Sequence, residues 1–224
     1  MSRDSIEVLY EDNHLLAIGK PADLATMGVT ADSDSLVVRV KAYLKQRYDK
    51  PGNVYLGVVS RLDAVVTGVV LFARTSKAAA RLTDQFRQRQ VHKTYWALVS
   101  GTVSPSSATL RDYVVKDDLR QRMVICSGSS PGAKEAVLHY ETISHPSPNV
   151  TLLQVRLETG RKHQIRLQLA QHGYPIVGDR KYGSSLPFPR GIALHACRLQ
   201  LLHPVQKVPL DLCCAVPAYW PRRN

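Results

Sequence analysis

Short apolar runs separated by polar turns dominate the chain, a pattern typical of β-strands. Residues 6–10 (IEVLY) and 14–18 (HLLAI) flank the polar turn Glu11-Asp12-Asn13 and predict a β-hairpin. Residues 68–74 (GVVLFAR) form an almost continuous apolar run, which indicates a strand buried on both faces. Further strands are predicted at 94–100, 136–143 and 150–157, and between the prolines from about residue 190 onwards.

Three stretches instead show the helical spacing of apolar residues. They are predicted to run from a cap in Asp32-Ser33-Asp34 to about Tyr48, from a cap in Thr75-Ser76 to about Gln90, and over about 162–172 with Gly173 as C-cap. In the second, Ala79, Leu82 and Phe86 form the predicted inner face. The Ser/Gly/Pro-rich stretch 127–132 predicts a mobile surface loop.

Because strands outnumber helices and most neighbouring strands read as antiparallel, the predicted fold class is α+β. We expect one large, mixed but mostly antiparallel sheet with flanking helices. A chain of 224 residues suits one large domain or two small ones, and we expect a single domain over 1–224.

Composition adds a strong positive charge. Thirty Lys+Arg against eighteen Asp+Glu give a formal net charge of +12 and a pI near 9.7. Such a surplus favours a polyanionic partner, although a solubilising surface charge explains it equally well. Neither a stretch of 18 apolar residues nor a targeting segment is evident, so we expect a cytoplasmic protein without membrane contact, and a monomer by default.

The cysteines do not suggest a metal or a disulfide. Cys126, Cys197, Cys213 and Cys214 include no C-x-x-C pair, and we interpret them as reduced, small residues that fill the core. The histidines likewise show no metal-ligand spacing, and the glycines form no phosphate-cradling motif.

Candidate chemistry lies first at Ser60-Arg61-Leu62-Asp63, directly before the buried strand. A carboxylate at the edge of an apolar run is costly unless a cation or several donors satisfy it. Taken alone, Asp63 is best explained as a structural ion-pair residue.

The second segment is Glu158-Thr159-Gly160-Arg161-Lys162-His163-Gln164-Ile165-Arg166, where a predicted strand ends and a helix begins with basic residues in its first turn. Cations oppose the helix macrodipole at this end, which indicates a nearby phosphate or carboxylate. With Ile165 and Leu169 on the packing face, Arg166 is expected to point away from the core, into a cleft. A solvated basic turn is the alternative.

With these two segments in view, the chain from residue 6 to residue 220 resembles the RluA-type family of RNA pseudouridine synthases. SRLDAVVTGVVLFART is similar to that family's catalytic motif, and VLYEDNHLLAIGKPADL, KTYWALVSG, TGRKHQIRLQLAQHGYPIVGDRKYG and LHACRLQLLHP resemble its other blocks in the expected order. The resemblance implies the pseudouridine-synthase fold with a central RNA-binding cleft and no cofactor or metal. The N-terminal accessory RNA-binding domain of many relatives is not expected, since about five residues precede the first strand.

The resemblance also implies residue roles. Asp63 matches the catalytic aspartate, Tyr95 the tyrosine that packs on the target base, and Arg166 the basic residue that pairs with the catalytic carboxylate. Arg61 matches an arginine that enters the stack where the flipped base was. The substrate-binding residues expected with it are Lys93, Arg161, Lys162, His163 and Gln164.

Two positions depart from the family pattern. Ser60 replaces the usual histidine, and Ala64 stands where relatives usually carry a basic residue. The expected function is an active synthase acting on transfer or large-subunit ribosomal RNA. The alternatives are a catalytically impaired RNA-binding protein or chaperone on the same fold, and an unrelated carboxylate-based hydrolase.

Overall fold

The computed structural model describes residues 6–28 and 33–221. These divide into two compact units, each made of two chain segments. The first comprises the residues up to Val91 together with Ala196–Val216, and the second comprises His92–His195 with the residues from Pro217 onwards. None of the described helices is both long and apolar enough to cross a membrane.

The first unit contains a sheet between two helices. Its strands are β1 (Glu7–Glu11), β2 (Leu15–Lys20), β3 (Gly57–Val58), β4 (Thr67–Ala73), β10 (Leu194–Leu202, which begins in the second unit) and β11 (Pro209–Cys213). β2 pairs with β1 and β4, β3 with β4, and β10 with β11, all antiparallel. The predicted hairpin is therefore confirmed. Its turn is held by Asp12, whose Oδ1 accepts from the backbone N–H groups of His14 and Leu15 at 2.7 Å.

The central strand β4 is buried on both faces, as predicted. Val69 and Leu71 on one face pack in a cluster with α2 (Ser76–Arg87), and Val70 and Phe72 on the other face pack with α1 (Leu36–Arg47). This two-sided burial explains why the sequence of β4 does not alternate.

Both helices of this unit begin with the type of cap predicted. Thr75 caps α2 by accepting from the backbone N–H of Ala78, as expected. The cap of α1 is Ser35, however, so the prediction of Asp32-Ser33-Asp34 is wrong for Ser33 and Asp34, and Asp32 lies outside the described residues. The inner face of α2 consists of Ala78, Leu82 and Gln85, with Ala79 and Phe86 partly buried beside it.

In its described residues, the second unit contains five antiparallel strands and one α-helix. The strands are β5 (His92–Ser100), β6 (Ser107–Asp117), β7 (Arg122–Cys126), β8 (Lys134–Ser147) and β9 (Val150–Leu157), in the order β5-β9-β8-β6-β7. β6 and β7 were not predicted. Of the eleven residues of β6, Leu110 and Val114 alone are buried, and Asp112 between them interrupts the apolar alternation of the sequence.

The helix of this unit, α3 (Gln164–Gln171), is shorter than predicted. Arg161, Lys162 and His163 precede it instead of forming its first turn, and His163 is the N-cap with a left-handed φ of 54°. The expected one-sided packing is also wrong, because every residue from Gln164 to Leu169 is buried. Gly173, with φ 88°, follows the C-cap His172 and ends the helix through a bond to the carbonyl of Ala170.

The loop at 127–132 is a sequence of hydrogen-bonded turns, with Ser130 N–H donating to Ser127 C=O at 3.0 Å.

The cysteines fill the core only in part. Cys197 and Cys214 are buried, whereas Cys126 is half-buried and Cys213 is exposed. The interpretation of all four as core residues is therefore wrong for Cys213.

Candidate functional site

In the first unit, Asp63 lies in the segment between β3 and β4, immediately before a turn at residues 64–65. Its own carbonyl accepts from the backbone N–H of Val66 at 3.0 Å and closes that turn. The side chain is half-buried, and Arg61 is exposed.

Polar side chains fasten this segment to its neighbours on the N-terminal side of Asp63. The hydroxyl of Ser60 accepts from the backbone N–H of Leu71 at 2.8 Å, so it ties the segment to β4. The buried hydroxyl of Thr26 donates to Leu62 C=O at 2.8 Å and accepts from Leu62 N–H at 3.1 Å. The family departure at Ser60 thus supplies a structural bond, which was not foreseen.

Lys20 fastens the other side of the same segment. It is the last residue of β2, is 2% exposed, and its Nζ donates to the carbonyls of Pro21, Leu24 and Ala64 at 2.7, 2.7 and 2.9 Å. Burial lowers the pKa of Lys20 to about 7, and the charges of Asp63 and Asp23 oppose that shift. Lys20 therefore holds the chain on one side of Asp63, and in its charged form it interacts favourably with the charges of Asp63 and Asp23.

The passage from this segment into β4 requires glycine at position 68. Gly68 has φ +117°, and an added Cβ would lie 2.3 Å from the carbonyl oxygen of Ala196. Any side chain would push β4 away from its neighbour β10.

In the second unit, Arg166 forms a buried ion pair. Its Nε donates to Oδ2 of Asp179 at 2.6 Å and its Nη2 donates to Oδ1 at 2.9 Å. The side chains are 7% and 1% exposed, respectively. The expectation that Arg166 points away from the core is therefore wrong, because its guanidinium is buried against Asp179.

The same guanidinium lies over the aromatic ring of Tyr182. Cζ of Arg166 lies 5.1 Å from the ring centroid. The Tyr182 hydroxyl is 2.8 Å from Nδ1 of His163 and accepts from the backbone N–H of Met123 at 3.2 Å. His163, predicted to bind substrate, is thus bonded to a residue nineteen positions away.

Gln164 organises the turn that precedes α3. Its Oε1 accepts from the Thr159 hydroxyl at 2.8 Å and from the backbone N–H of Arg161 at 2.9 Å, and its Nε2 donates to Val137 C=O at 3.1 Å. The side chain is buried, and these are the bonds of a structural residue. Arg161 itself donates through Nε to Glu135 C=O at 2.9 Å.

Lys93, on β5, brings a second cation to this turn. A Cβ built on Gly160 would lie 3.2 Å from the Lys93 ammonium, so the two residues are close neighbours. Burial lowers the pKa of Lys93. Tyr95, two residues further along β5, is half-buried and pairs with Val155 of β9.

The predicted site residues therefore form two groups. Asp63 and Arg61 lie in the first unit, whereas the second contains Lys93, Tyr95, Arg161, Lys162, His163, Gln164 and Arg166. The pairing of Asp63 with Arg166 stays a prediction. Among the described residues, no group of three His, Cys, Asp or Glu side chains is arranged to hold a metal ion.

The sequence reasoning missed the supporting residues Lys20, Thr26, Asp179 and Tyr182. Signals for three of them were present, since Lys20 stands in the Lys-Pro turn of the opening block and Asp179 and Tyr182 stand in PIVGD-x-x-YG. Thr26 had no such signal.

Comparison with known proteins gives consistent matches. A family described as RNA pseudouridylate synthase matches residues 14–171. The chain is 37% identical over 228 residues to ribosomal large subunit pseudouridine synthase D of Xylella fastidiosa, covering 95% of this chain and 66% of that protein. It is 31% identical over 234 residues to tRNA pseudouridine synthase C of Pectobacterium carotovorum, covering 96% and 60%, respectively. It therefore spans about two thirds or less of the length of these relatives.

A solved structure, human RNA pseudouridylate synthase domain containing 4, has a similar fold. The TM-score is 0.79 at 26% sequence identity, over 95% of this chain and 89% of that one. The fold-class prediction is thereby confirmed.

Proposed function

The chain belongs to the RNA pseudouridylate synthase family, and on that premise we propose that it isomerises uridine in RNA to pseudouridine, with Asp63 as the catalytic carboxylate and no cofactor. The observation that carries the proposal is the position of Asp63. It lies within the matched residues, on a segment held on both sides by Lys20 and Thr26.

The reaction suits a single carboxylate. The bond between uracil N1 and the ribose is broken, the uracil turns, and ring carbon 5 bonds to the ribose while its hydrogen is released. No electrons are gained or lost and no external group is transferred. Asp63 acts either as a nucleophile, on the ribose or on the ring, or as a base.

The target nucleotide must leave its stack before an enzyme reaches it, which costs a few kcal/mol. In the proposal, Tyr95 recovers part of this cost by packing on the base, since such stacking is worth ~1–3 kcal/mol. Arg61 enters the vacated stack, and Arg166 pairs with Asp63. Lys93, Arg161 and Lys162 bind phosphates, with the turn at His163 and Gln164 beside them.

The proposed substrates are transfer RNA and large-subunit ribosomal RNA, because the names of the relatives include both. The net charge of +12 supports an RNA partner. We place the protein in the cytoplasm and expect it to act as a monomer.

The test uses purified protein and in vitro transcripts of transfer and ribosomal RNA that carry tritium at uracil carbon 5. We expect tritium release by the wild type and a loss of roughly 10³-fold or more in Asp63→Asn, because removal of a nucleophile or base removes the chemical step. RNA affinity, measured by filter binding, should remain.

A matched control is Asp23→Asn, in the turn that follows β2. Asp23 has φ 62°, a conformation that asparagine tolerates, so this variant should retain activity. Equal turnover of Asp63→Asn and wild type would contradict the assignment. RNA binding by the wild type without tritium release would favour the chaperone alternative, and free uracil among the products would favour a hydrolase.

A further inference from the structure

The surroundings of Arg166 are unusual for a charged residue. It lies on α3 among Ile165, Leu167 and Leu169, which are at most 6% exposed. A guanidinium in such a position is costly unless it is paired, and a buried ion pair usually adds little stability compared with apolar residues of similar volume. Stability alone therefore gives a weak reason for an arginine at this position.

The contacts of Arg166 restrict its orientation in two directions. Two parallel hydrogen bonds to Asp179 fix the guanidinium within its plane, since this fork geometry tolerates little rotation. The guanidinium also lies over the ring of Tyr182, with Cζ 5.1 Å from the ring centroid. Together these contacts restrict the orientation of the group.

Asp179 is itself held firmly by its backbone. Its N–H donates to Ile176 C=O at 2.9 Å, and its carbonyl accepts from the N–H groups of Tyr182 and Ser184 at 3.1 Å each. The carboxylate therefore stands on a short, tightly bonded turn, which makes it a rigid reference for the guanidinium.

We propose that Asp179 is a positioning residue that fixes the orientation of the Arg166 guanidinium for the isomerisation. The proposal rests on the function proposed above, in which Arg166 works with the catalytic carboxylate. Asp179 does not touch the substrate in this account. Its effect on the rate comes through Arg166, because a small displacement of a catalytic group is enough to slow a reaction about 10²-fold.

Two substitutions separate positioning from simple charge compensation. Asp179→Asn removes the charge and one acceptor oxygen, whereas Asp179→Glu keeps the carboxylate but moves it by one methylene. We expect both to lower kcat about 10- to 10²-fold, with KM and RNA affinity for the tritiated transcripts unchanged within about threefold. If charge compensation were the only role, Asp179→Glu would keep the wild-type kcat.

The matched control is Asp211→Asn. Asp211 accepts from Nε and Nη2 of Arg198, the atoms that also bond to Asp179 in the case of Arg166. Both side chains lie in the first unit and are nearly half exposed. This variant should retain wild-type kcat and KM.

A second readout does not depend on turnover. In protein labelled with ¹⁵N-arginine, NMR of Arg166 should show slow rotation about its Nε–Cζ bond in the wild type and faster rotation in Asp179→Asn. Fast rotation in the wild type would overturn the proposal, and so would an unchanged kcat in both folded Asp179 variants. If the wild type released no tritium but its Arg166 rotated slowly, the proposed function would fail while the orientation by Asp179 would stand.

Discussion

Asp63 and Arg166 are held in their units by different physical means. Around Asp63, the described bonds from Lys20, Thr26 and Ser60 fall on backbone groups of neighbouring segments or of β4. Around Arg166, the described bonds fall on the guanidinium itself, from the carboxylate of Asp179. The first arrangement shapes a loop, and the second orients a single side chain.

The difference follows from the two side chains, since Asp63 is a short side chain on a loop and Arg166 a long side chain on a helix. The bonds from Lys20, Thr26 and Ser60 stabilise the chain segment that carries Asp63. An arginine on a helix has a long side chain with many rotamers, so a rigid backbone does not orient it. Its terminal group needs contacts of its own.

The largest expected effect comes from breaking the buried pair. Arg166→Met leaves the carboxylate of Asp179 buried without its partner, which should lower the free energy of unfolding by about 3–5 kcal/mol. The double variant Arg166→Met/Asp179→Asn should recover much of this loss. Urea denaturation of the wild type, both single variants and the double variant measures the coupling. If the losses in free energy of unfolding of the two single variants added up to that of the double variant, the two side chains would not be coupled.

Lys20→Met should produce a smaller loss that depends on pH. Three carbonyls lose their donor, while the cost of burying a charge disappears, so we expect a net loss of about 1–3 kcal/mol at pH 7. The pKa of Lys20 is lowered to about 7 in the folded protein, against 10.5 ordinarily, so the unfolded chain binds more protons between these values. The free energy of unfolding of the wild type therefore rises with pH in this window. The difference in this free energy between the wild type and Lys20→Met should increase from pH 7 to pH 9.5.

Urea denaturation at both pH values tests this expectation. Lys41→Met, on the exposed face of α1, is the matched control and should show no such increase. A difference that narrows as the pH rises would contradict the sign of the shift.

Thr26→Val should produce the smallest effect. The substitution keeps the shape of the side chain but removes both bonds to the backbone of Leu62, at an expected cost of about 1–2 kcal/mol. Because Leu62 precedes Asp63, kcat should fall as well. The control is Thr83→Val on α2, whose exposed hydroxyl donates to Ala79 C=O within the helix. If the two variants behaved alike, the bonds of Thr26 would not matter to the loop.

The sequence by itself determined the fold class, the opening hairpin, the buried strand β4 and the cap of α2. Each depends on a local pattern, such as a continuous apolar run or a hydroxyl residue before a helix. Such patterns can be recognised in the amino-acid sequence alone. The sequence also predicts Asp63 and Arg166 as site residues, through motifs whose order resembles that of a family, and their roles stay predictions. It missed β6, because Asp112 interrupts the alternation of apolar residues between Leu110 and Val114.

Only the tertiary structure decided how these residues are held. Lys20 and Ala64 are forty-four positions apart, and Arg166 and Asp179 are thirteen apart, so no local pattern reveals that they bond. The sequence placed Arg166 on the open side of its helix, because helical periodicity assumes one buried face. In the folded unit the helix is buried all round from Gln164 to Leu169, and a charge at Arg166 is stable there because it pairs with the carboxylate of Asp179 from a separate turn.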